Sequence, residues 1–224
     1  MIGCSMTCET LYTDSCCINE AAELVERHHY AGRMPSRPAV VRCFAWRCPG
    51  GLFGDAGPAA AAAVFALPGN QYLRETGCIE LARIARTPDL QQPLSRFIAW
   101  TVRRIATEQR PTFIISYADA GQGHHGGLYQ AVGWNYLGTA KCYQTILTHG
   151  VTGDQLHGRE VARRFGTQHH GELRKRLIGT SWQLGRAGDK HVYVRPITIE
   201  IDEVCRVLGR RKQPYPKPDV EKAV

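Results

Sequence analysis

The chain has 224 residues, 43% of them hydrophobic, which is enough for one substantial core and argues against wholesale disorder. Its 28 Lys and Arg residues exceed 20 Asp and Glu, and the net charge of +8 favours an anionic partner, most simply nucleic acid. Nine irregularly spaced cysteines without a CxxC pair indicate reduced thiols, and no apolar run is long enough to cross a bilayer. We therefore expect a soluble intracellular protein.

The first half of the chain predicts a helix, three strands and a long helix. Asn19 is placed to cap the first helix, and Gly32 to end it. Three strands, separated by Gly- and Pro-rich turns, are predicted at residues 39–48, 59–67 and 78–85. Apolar side chains from Leu94 to Ile105 recur at i, i+3, i+4 and i+7, so we expect a helix with Pro93 at its first position.

The second half predicts a buried strand at TFIISYA, residues 112–118, followed by a Gly-rich stretch over residues 121–127. A short helix around LYQAV and strands near NYLGTA, CYQTILT and HVYVRPITI complete the body. Residues 209–224 are basic and rich in proline, which predicts a flexible tail.

This order of elements resembles the Gcn5-related N-acetyltransferase (GNAT) fold over roughly residues 18–148. We therefore expect an α/β protein with a GNAT-like central mixed sheet, flanked by helices and followed by a basic C-terminal extension. The predicted organisation is a single domain over residues 1–208, in which the extension occupies residues 149–208.

Four local motifs carry a more specific resemblance. They are ERHHYAGRMPS, ELARIARTPD with the following PLSRF, ISYAD, and HHGGLYQAVGWNYLG. Together they resemble the Mom family, the DNA-adenine modification proteins of Mu-like bacteriophages. The resemblance implies conversion of adenine to N6-carbamoylmethyladenine in phage double-stranded DNA, which protects that DNA from restriction in the host cytoplasm.

Chemistry at adenine N6 requires an extruded base, an acceptor beside the amine and stabilisation of charge on the donor carbonyl. Asp119 is the candidate acceptor or general base, the tyrosines can stack on the base or donate to an oxyanion, and Ser116 can orient either partner. A histidine can move a proton near neutral pH. The candidate catalytic residues are Asp119, Ser116, Tyr117, Tyr129, His28, His29 and Tyr30.

Some of these residues have simpler interpretations. Asp119 can merely cap the turn that follows it, and adjacent His28 and His29 cannot easily both face inward. His28, His29, His124 and His125 could also bind iron, although paired histidines alone are a weak metal signal.

The sequence leaves two classes of acyl donor possible, an acyl-coenzyme A and an aminoacyl-tRNA. Ordinary acetyltransferases bind the coenzyme A pyrophosphate with a Gly-rich loop before the long helix, but here RTPDLQQPLSRF contains no glycine, and two prolines remove amide donors. Arg83, Arg86 and Ser95 remain candidate donor-binding residues. The carbamoylmethyl group contains the atoms of glycine, so activated glycine such as glycyl-tRNA is one hypothesis and acetyl-coenzyme A the other.

A basic segment of the extension is the candidate DNA-binding surface, because such side chains bind phosphates irrespective of base sequence. Its residues are Arg159, Arg163, Arg164, Arg174, Lys175 and Arg176. Two alternatives remain: an ordinary N-acetyltransferase acting on a protein or small amine, and a non-catalytic nucleic-acid-binding protein. The sequence leaves the oligomeric state open, a dimer included.

Overall fold

A computed structural model describes residues 11–48, 57–142 and 145–217 of the chain, and the side chains of His157 and Arg159 lie outside this description. The strands are β1 (Tyr12–Ser15), β2 (Val40–Arg47), β3 (Ala59–Ala66), β4 (Ile79–Arg86), β5 (Phe113–Asp119), β6 (Asn135–Ala140), β7 (Thr145–His149), β8 (Gln155–His157), β9 (Trp182–Arg186) and β10 (Lys190–Pro196). The α-helices are α1 (Ile18–His28), α2 (Gln71–Glu75), α3 (Ser95–Glu108), α4 (Gly127–Ala131), α5 (Gly158–Phe165), α6 (His170–Arg176) and α7 (Ile201–Leu208).

Seven strands form the main sheet in the order β1-β2-β3-β4-β5-β10-β6. The first four strands pair antiparallel, whereas β4 and β5 pair in parallel. The connection between β4 and β5 contains α3, as a parallel crossover requires. The predicted α/β fold class, a central mixed sheet flanked by helices, is confirmed.

Small side chains in the middle of the sheet let the helices pack closely. Ala61, Ala62 and Ala63 of β3 are fully buried. A core cluster joins Ala62 to Ala21, Leu24 and Val25 of α1. The inner face of α3 is buried at Phe97, Ile98, Thr101, Val102 and Ile105, as the spacing of its apolar residues predicted.

Both predicted helix starts differ from the observed ones. Cys17 rather than Asn19 caps α1, since its sulfur accepts a hydrogen bond from the Glu20 amide at 3.5 Å. Asn19 lies inside the helix, where its side-chain oxygen accepts from Arg37 at 2.7 Å. The long helix begins at Ser95, two residues after Pro93.

The contacts divide the chain into two compact units. The first contains the described residues of Met1–Tyr117, Gly126–Gly138 and Val192–Pro216; the second contains those of Ala118–His125, Thr139–His191 and Lys217–Val224. In the second unit an antiparallel sheet in the order β8-β7-β9 packs with α5 and α6 around Leu147, Leu156, Val161, Leu173 and Leu177. The predicted extension therefore contributes residues to both units.

The beginning of the predicted flexible tail is held in the first unit. Arg210 donates to the carbonyl of Leu137 at 3.1 Å, and the Tyr215 hydroxyl donates to the carbonyl of Trp134 at 2.7 Å. Composition does not reveal these backbone acceptors in and just before β6, and the flexibility of residues 209–224 stays a prediction. In the described part of the chain, no helix has both the length and the apolar character needed to cross a membrane.

Candidate active site

The candidate site is built where β4 and β5 separate. In the described residues of these strands the parallel ladder pairs Ile79 with Ile114 and Glu80 with Ile115. One residue later, the Ser116 hydroxyl donates to the backbone carbonyl of Leu81 at 2.7 Å. The Ser116 side chain thus makes the hydrogen bond to β4 that a backbone amide of β5 would make if the two strands stayed paired.

Tyr129 completes a chain of hydroxyl groups at this point. Its hydroxyl lies 2.7 Å from Ser116 Oγ. Because the Leu81 carbonyl can only accept, Ser116 gives its proton to that carbonyl and Tyr129 donates to Ser116. Ser116 is 1% exposed and Tyr129 is 8% exposed, so the pair is shielded from water.

The short helix α4 positions Tyr129. The helix begins after Gly126, whose φ of +83° is a left-handed conformation that favours glycine. A Cβ at Gly126 would overlap the ring of Tyr193, so the close approach of that ring also requires glycine. The Tyr193 ring in turn stacks on Tyr129, with centroids 5.1 Å apart.

The protonation state of Tyr129 follows from its burial. Burial raises the pKa of Tyr129 to about 12, while the Ser116 hydrogen bond acts in the opposite direction and the nearby Tyr30 and Glu80 raise it further. Tyr129 is therefore neutral near pH 7, which suits a hydrogen-bond donor or general acid rather than a base.

Glu80 is a further candidate for the site, and it is not among the residues predicted from the sequence. It occupies the last paired position of β4, and strand alternation places it on the same sheet face as Tyr117, two residues beyond its partner Ile115. Burial raises the pKa of Tyr117, and Glu80 is the second cause of that rise. The sequence feature that could have indicated Glu80 is its position as a single acidic residue between the apolar Ile79 and Leu81 of a predicted strand.

Arg83 is held by backbone carbonyls on the same strand. Its Nε donates to the Arg33 carbonyl at 3.0 Å, and its Nη1 donates to the Ala82 carbonyl at 2.6 Å. Burial lowers the pKa of Arg83, whereas Glu80 and Tyr30 raise it. The guanidinium nevertheless stays cationic, and a half-buried cation suits an anionic or carbonyl group of a donor.

The three candidates after α1 have different surroundings. His28 is exposed, while His29 is half-buried and its Nδ1 accepts from the Ala31 amide at 3.0 Å. The Tyr30 ring stacks on His29 with centroids 4.4 Å apart and remains 52% exposed. Of the two histidines, only His29 therefore has the partly buried environment expected of a site residue.

Asp119, His124 and His125 belong to the second unit. Asp119 Oδ1 accepts from the Gly121 amide at 2.9 Å and so caps the turn, which is the simpler of its two interpretations. His124 is exposed and His125 is half-buried. Over the described ranges, no group of three or more His, Cys, Asp or Glu residues is arranged to hold a metal ion.

In the loop between β4 and α3, four positions offer no amide to a ligand. Pro88 and Pro93 have no N–H, the Thr87 amide donates to the Ala60 carbonyl at 2.8 Å, and the Leu90 amide donates to the Thr87 carbonyl at 3.3 Å. Of the predicted donor-binding residues here, Arg86 is exposed and Ser95 is half-buried at the first position of α3. These four positions interrupt the run of successive amides that a glycine-rich pyrophosphate loop presents.

The predicted DNA-binding residues lie on α5 and α6. Arg163, Arg164, Arg174, Lys175 and Arg176 are exposed, and the side chain of Arg159 lies outside the described residues. Residues 139–191 contain nine Lys and Arg against four Asp and Glu, a net charge of +5 out of +8 for the whole chain. Positive charge is thus dense in this segment of the second unit.

Three of these cations have partners on the protein, and one of them, Arg163, pairs with Glu160 at 3.5 Å. The Arg164 guanidinium carbon lies 4.9 Å from the centroid of the Trp182 ring. Arg176 pairs with Glu172 at 3.8 Å. In the part of the chain that the structure describes, Arg164, Arg174 and Lys175 form no ion pair and so retain their charge for a ligand.

Solved acetyltransferase structures are similar to this chain. The ribosomal-protein-S18-alanine N-acetyltransferase from Escherichia coli is 13% identical with a TM-score of 0.48, covering 85% of this chain and 96% of that one. The ribosomal-protein-S5-alanine acetyltransferase from Vibrio fischeri is 10% identical with a TM-score of 0.48, covering 84% and 94%. A GNAT family acetyltransferase from Elizabethkingia anophelis with acetyl-CoA bound is 9% identical with a TM-score of 0.44, covering 84% and 99%.

Among curated proteins, no relative matches this chain. A family model described as the Mom protein family matches residues 10–217.

Proposed function

The chain belongs to the Mom protein family, and on that premise we propose that it is a transferase that modifies the exocyclic N6 amine of adenine in phage double-stranded DNA. The product that the family resemblance implies is N6-carbamoylmethyladenine. Its role is protection of phage DNA from restriction in the host cytoplasm.

The observation that carries this proposal is the buried Tyr129–Ser116 hydroxyl pair at the separation of β4 and β5. Transfer of an acyl group to an amine requires a proton donor for the leaving group and an acceptor for the amine proton. Tyr129, neutral and buried, supplies the first, and Glu80 supplies the second. We assign the acceptor role to Glu80 rather than to Asp119, because the carboxylate of Asp119 is used to cap a turn.

In the transfer step, N6 attacks the carbonyl carbon of the donor and a C–N bond forms. Electrons move onto the carbonyl oxygen, where the cationic Arg83 stabilises the negative charge. When the carbonyl reforms, the bond to the carrier breaks, Tyr129 protonates the leaving atom and Glu80 takes the proton from N6. The proton that Glu80 has taken from N6 then passes to Tyr129 through water that enters when the product leaves, which restores both groups.

An aminoacyl ester is the donor that this arrangement favours. An alkoxide leaving group is more basic than a thiolate and needs a general acid more. The loop before α3 also has no glycine, and Pro88, Pro93 and two engaged amides interrupt the run of N–H groups that would bind the pyrophosphate of coenzyme A. Glycyl-tRNA is the specific candidate. After glycine is joined to N6, its free amine attacks C6, the original C6–N6 bond breaks, and the carbamoylmethyl group forms without a further reagent.

The second unit supplies phosphate contacts to the DNA. Arg164, Arg174 and Lys175 are exposed cations without ion partners among the described residues, and such contacts hold a duplex without selecting its sequence.

Mass spectrometry of nucleosides from cells that express the protein tests the function. We expect deoxyadenosine with the added mass of a carbamoylmethyl group in cells with the wild-type protein, and unmodified deoxyadenosine with Tyr129→Phe. Tyr72→Phe is a matched control, because Tyr72 is 70% exposed. Unmodified DNA in all three would overturn the proposal, and acetylated protein instead would indicate an ordinary N-acetyltransferase.

Isotope labelling separates the donors. With glycine labelled at both carbons and at nitrogen, the added group should carry both labelled carbons, and the glycine nitrogen should be the atom attached to C6. Product without any label would exclude a glycyl donor while leaving adenine modification intact.

A further inference from the structure

We propose that residues 210–216, here called the C-terminal strap, are a positioning element of the active site that fixes the aromatic cluster around Tyr129. This inference rests on the proposed function for its catalytic consequence. The claim that the strap fixes the position of Tyr129 depends only on contacts within the first unit.

The strap runs antiparallel along β6, the last strand of the sheet. Three carbonyls, those of Leu137, Tyr136 and Trp134, accept in turn from Arg210 Nη1 at 3.1 Å, the Gln213 amide at 2.9 Å and the Tyr215 hydroxyl at 2.7 Å. As residue numbers rise in the strap they fall in β6. The strap therefore occupies the carbonyls of Tyr136 and Leu137 in the last strand of the sheet and that of Trp134 just before it, and unpaired groups on such a strand would otherwise be open to solvent or another chain.

The contacts of the strap continue to Tyr129 through Trp134. Trp134 is 1% exposed, and its ring centroid lies 5.2 Å from that of Tyr129. The Trp134 amide also donates to the Tyr129 carbonyl at 3.0 Å. The Tyr215 hydrogen bond thus fixes a residue that contacts Tyr129 by both ring and backbone.

A second connection passes through Gln130, the neighbour of Tyr129 on α4. Gln130 Nε2 donates to the Pro216 carbonyl at 3.3 Å and to the Tyr193 hydroxyl at 3.0 Å. The Tyr193 ring stacks on Tyr129 and lies 5.2 Å from Tyr136. The strap is therefore connected to Tyr129 by two routes, one through Trp134 and one through Gln130 and Tyr193.

The strap also changes the electrostatics of the site. Burial raises the pKa of Tyr117, and the positive charge of Arg210 opposes that rise. Arg210 has the same opposing effect on the pKa of Tyr136, which burial also raises. A chain segment with these contacts does more than cover an edge, because it sets both the placement and the charge environment of the tyrosines.

Hydrogen exchange measured on the full-length protein tests the positioning role without relying on activity. In Tyr215→Phe, loss of one hydrogen bond should make the amides of residues 127–134 exchange about fivefold faster, with residues 95–108 of α3 unchanged. Gln213→Pro, which removes the amide donor to Tyr136, should give the same local pattern. Tyr72→Phe should exchange like the wild type.

Activity measurements test the catalytic consequence. In Tyr215→Phe the rate of adenine modification at saturating DNA should fall about tenfold while the DNA concentration for half-maximal rate stays the same, because a misplaced proton donor slows chemistry without weakening binding. Unchanged exchange in residues 127–134, or equal acceleration throughout the protein, would overturn the strap proposal. If the wild type modified no adenine, the proposed function would fail, whereas the exchange experiment would still decide whether the strap holds Tyr129.

Discussion

The polar groups of the two units are arranged in opposite ways. In the first unit Ser116 and Tyr129 are buried, neutral and hydrogen-bonded to each other, so their effect depends on exact placement. In the second unit Arg174 and Lys175 are exposed, charged and without ion partners among the described residues, so their effect depends on charge and ionic strength. Under the proposed function, the first region would carry out the chemistry and the second would hold a polyanion, so substitutions in one should leave the role of the other unchanged.

Removal of the Tyr129 hydroxyl should have the largest effect. In Tyr129→Phe the ring packing is kept and the proton donor is lost, so we expect the rate of adenine modification to fall about a thousandfold. A gel-shift assay should show unchanged DNA affinity. Weakened DNA binding in this variant would show that the two regions are not separable.

Gly126→Ala should be the most destabilising of the substitutions considered, by about 3 kcal/mol in the free energy of unfolding, because it combines a left-handed φ with overlap of the Tyr193 ring. Gly133, at the other end of α4, has a φ of +71° but no atom within 4 Å of its Cβ position. Gly133→Ala should therefore cost only about 1 kcal/mol. Equal losses in denaturant titrations would show that the ring contact is unimportant.

The buried tyrosine should also shape stability at high pH. The pKa of Tyr129 is about 12 in the folded protein, above the value of about 10 in an unfolded chain. Its contribution is therefore fully present below pH 10 and is lost as the pH rises through 12. Tyr129→Phe should show a shallower fall in unfolding free energy over this interval, by about 2 to 3 kcal/mol. Parallel curves for the two proteins would contradict the burial argument.

Single cations of the second unit should have the smallest effect. Arg174→Ala should weaken DNA binding about fivefold at physiological salt and reduce the slope of log affinity against log salt by about 0.9. Arg103→Ala is the control, because Arg103 is an exposed cation on α3 in the first unit. An equal loss in the control would indicate that total charge, not the surface on α5 and α6, determines affinity.

Features set by local pattern could be predicted from the sequence. The spacing of apolar residues from Phe97 to Ile105 located α3 and its buried face, although the helix starts at Ser95 rather than Pro93. The strand ending near Tyr117 and the helix containing Tyr129 were also expected, and family motifs marked both residues as site candidates.

Features set by tertiary contacts could not be predicted. Glu80 was overlooked because its importance depends on Tyr117 and Tyr129, which the parallel pairing of β4 with β5 brings near it. The residues around Tyr215 have the composition of a flexible tail, and their partners, the Trp134 carbonyl and Gln130, become visible only in the folded structure. Asp119 shows the converse case, since its position after a strand suits catalysis as well as turn capping, and its hydrogen bond is to a turn amide.

The position of β10 between β5 and β6 has a consequence for synthesis of the protein. When β5 leaves the ribosome, its future neighbour in the sheet is still encoded some seventy codons downstream. At roughly 5–20 residues per second, the nascent chain waits on the order of ten seconds with that strand edge uncovered. Translation speed across the intervening segment, and any chaperone that binds there, should therefore govern the yield of active molecules.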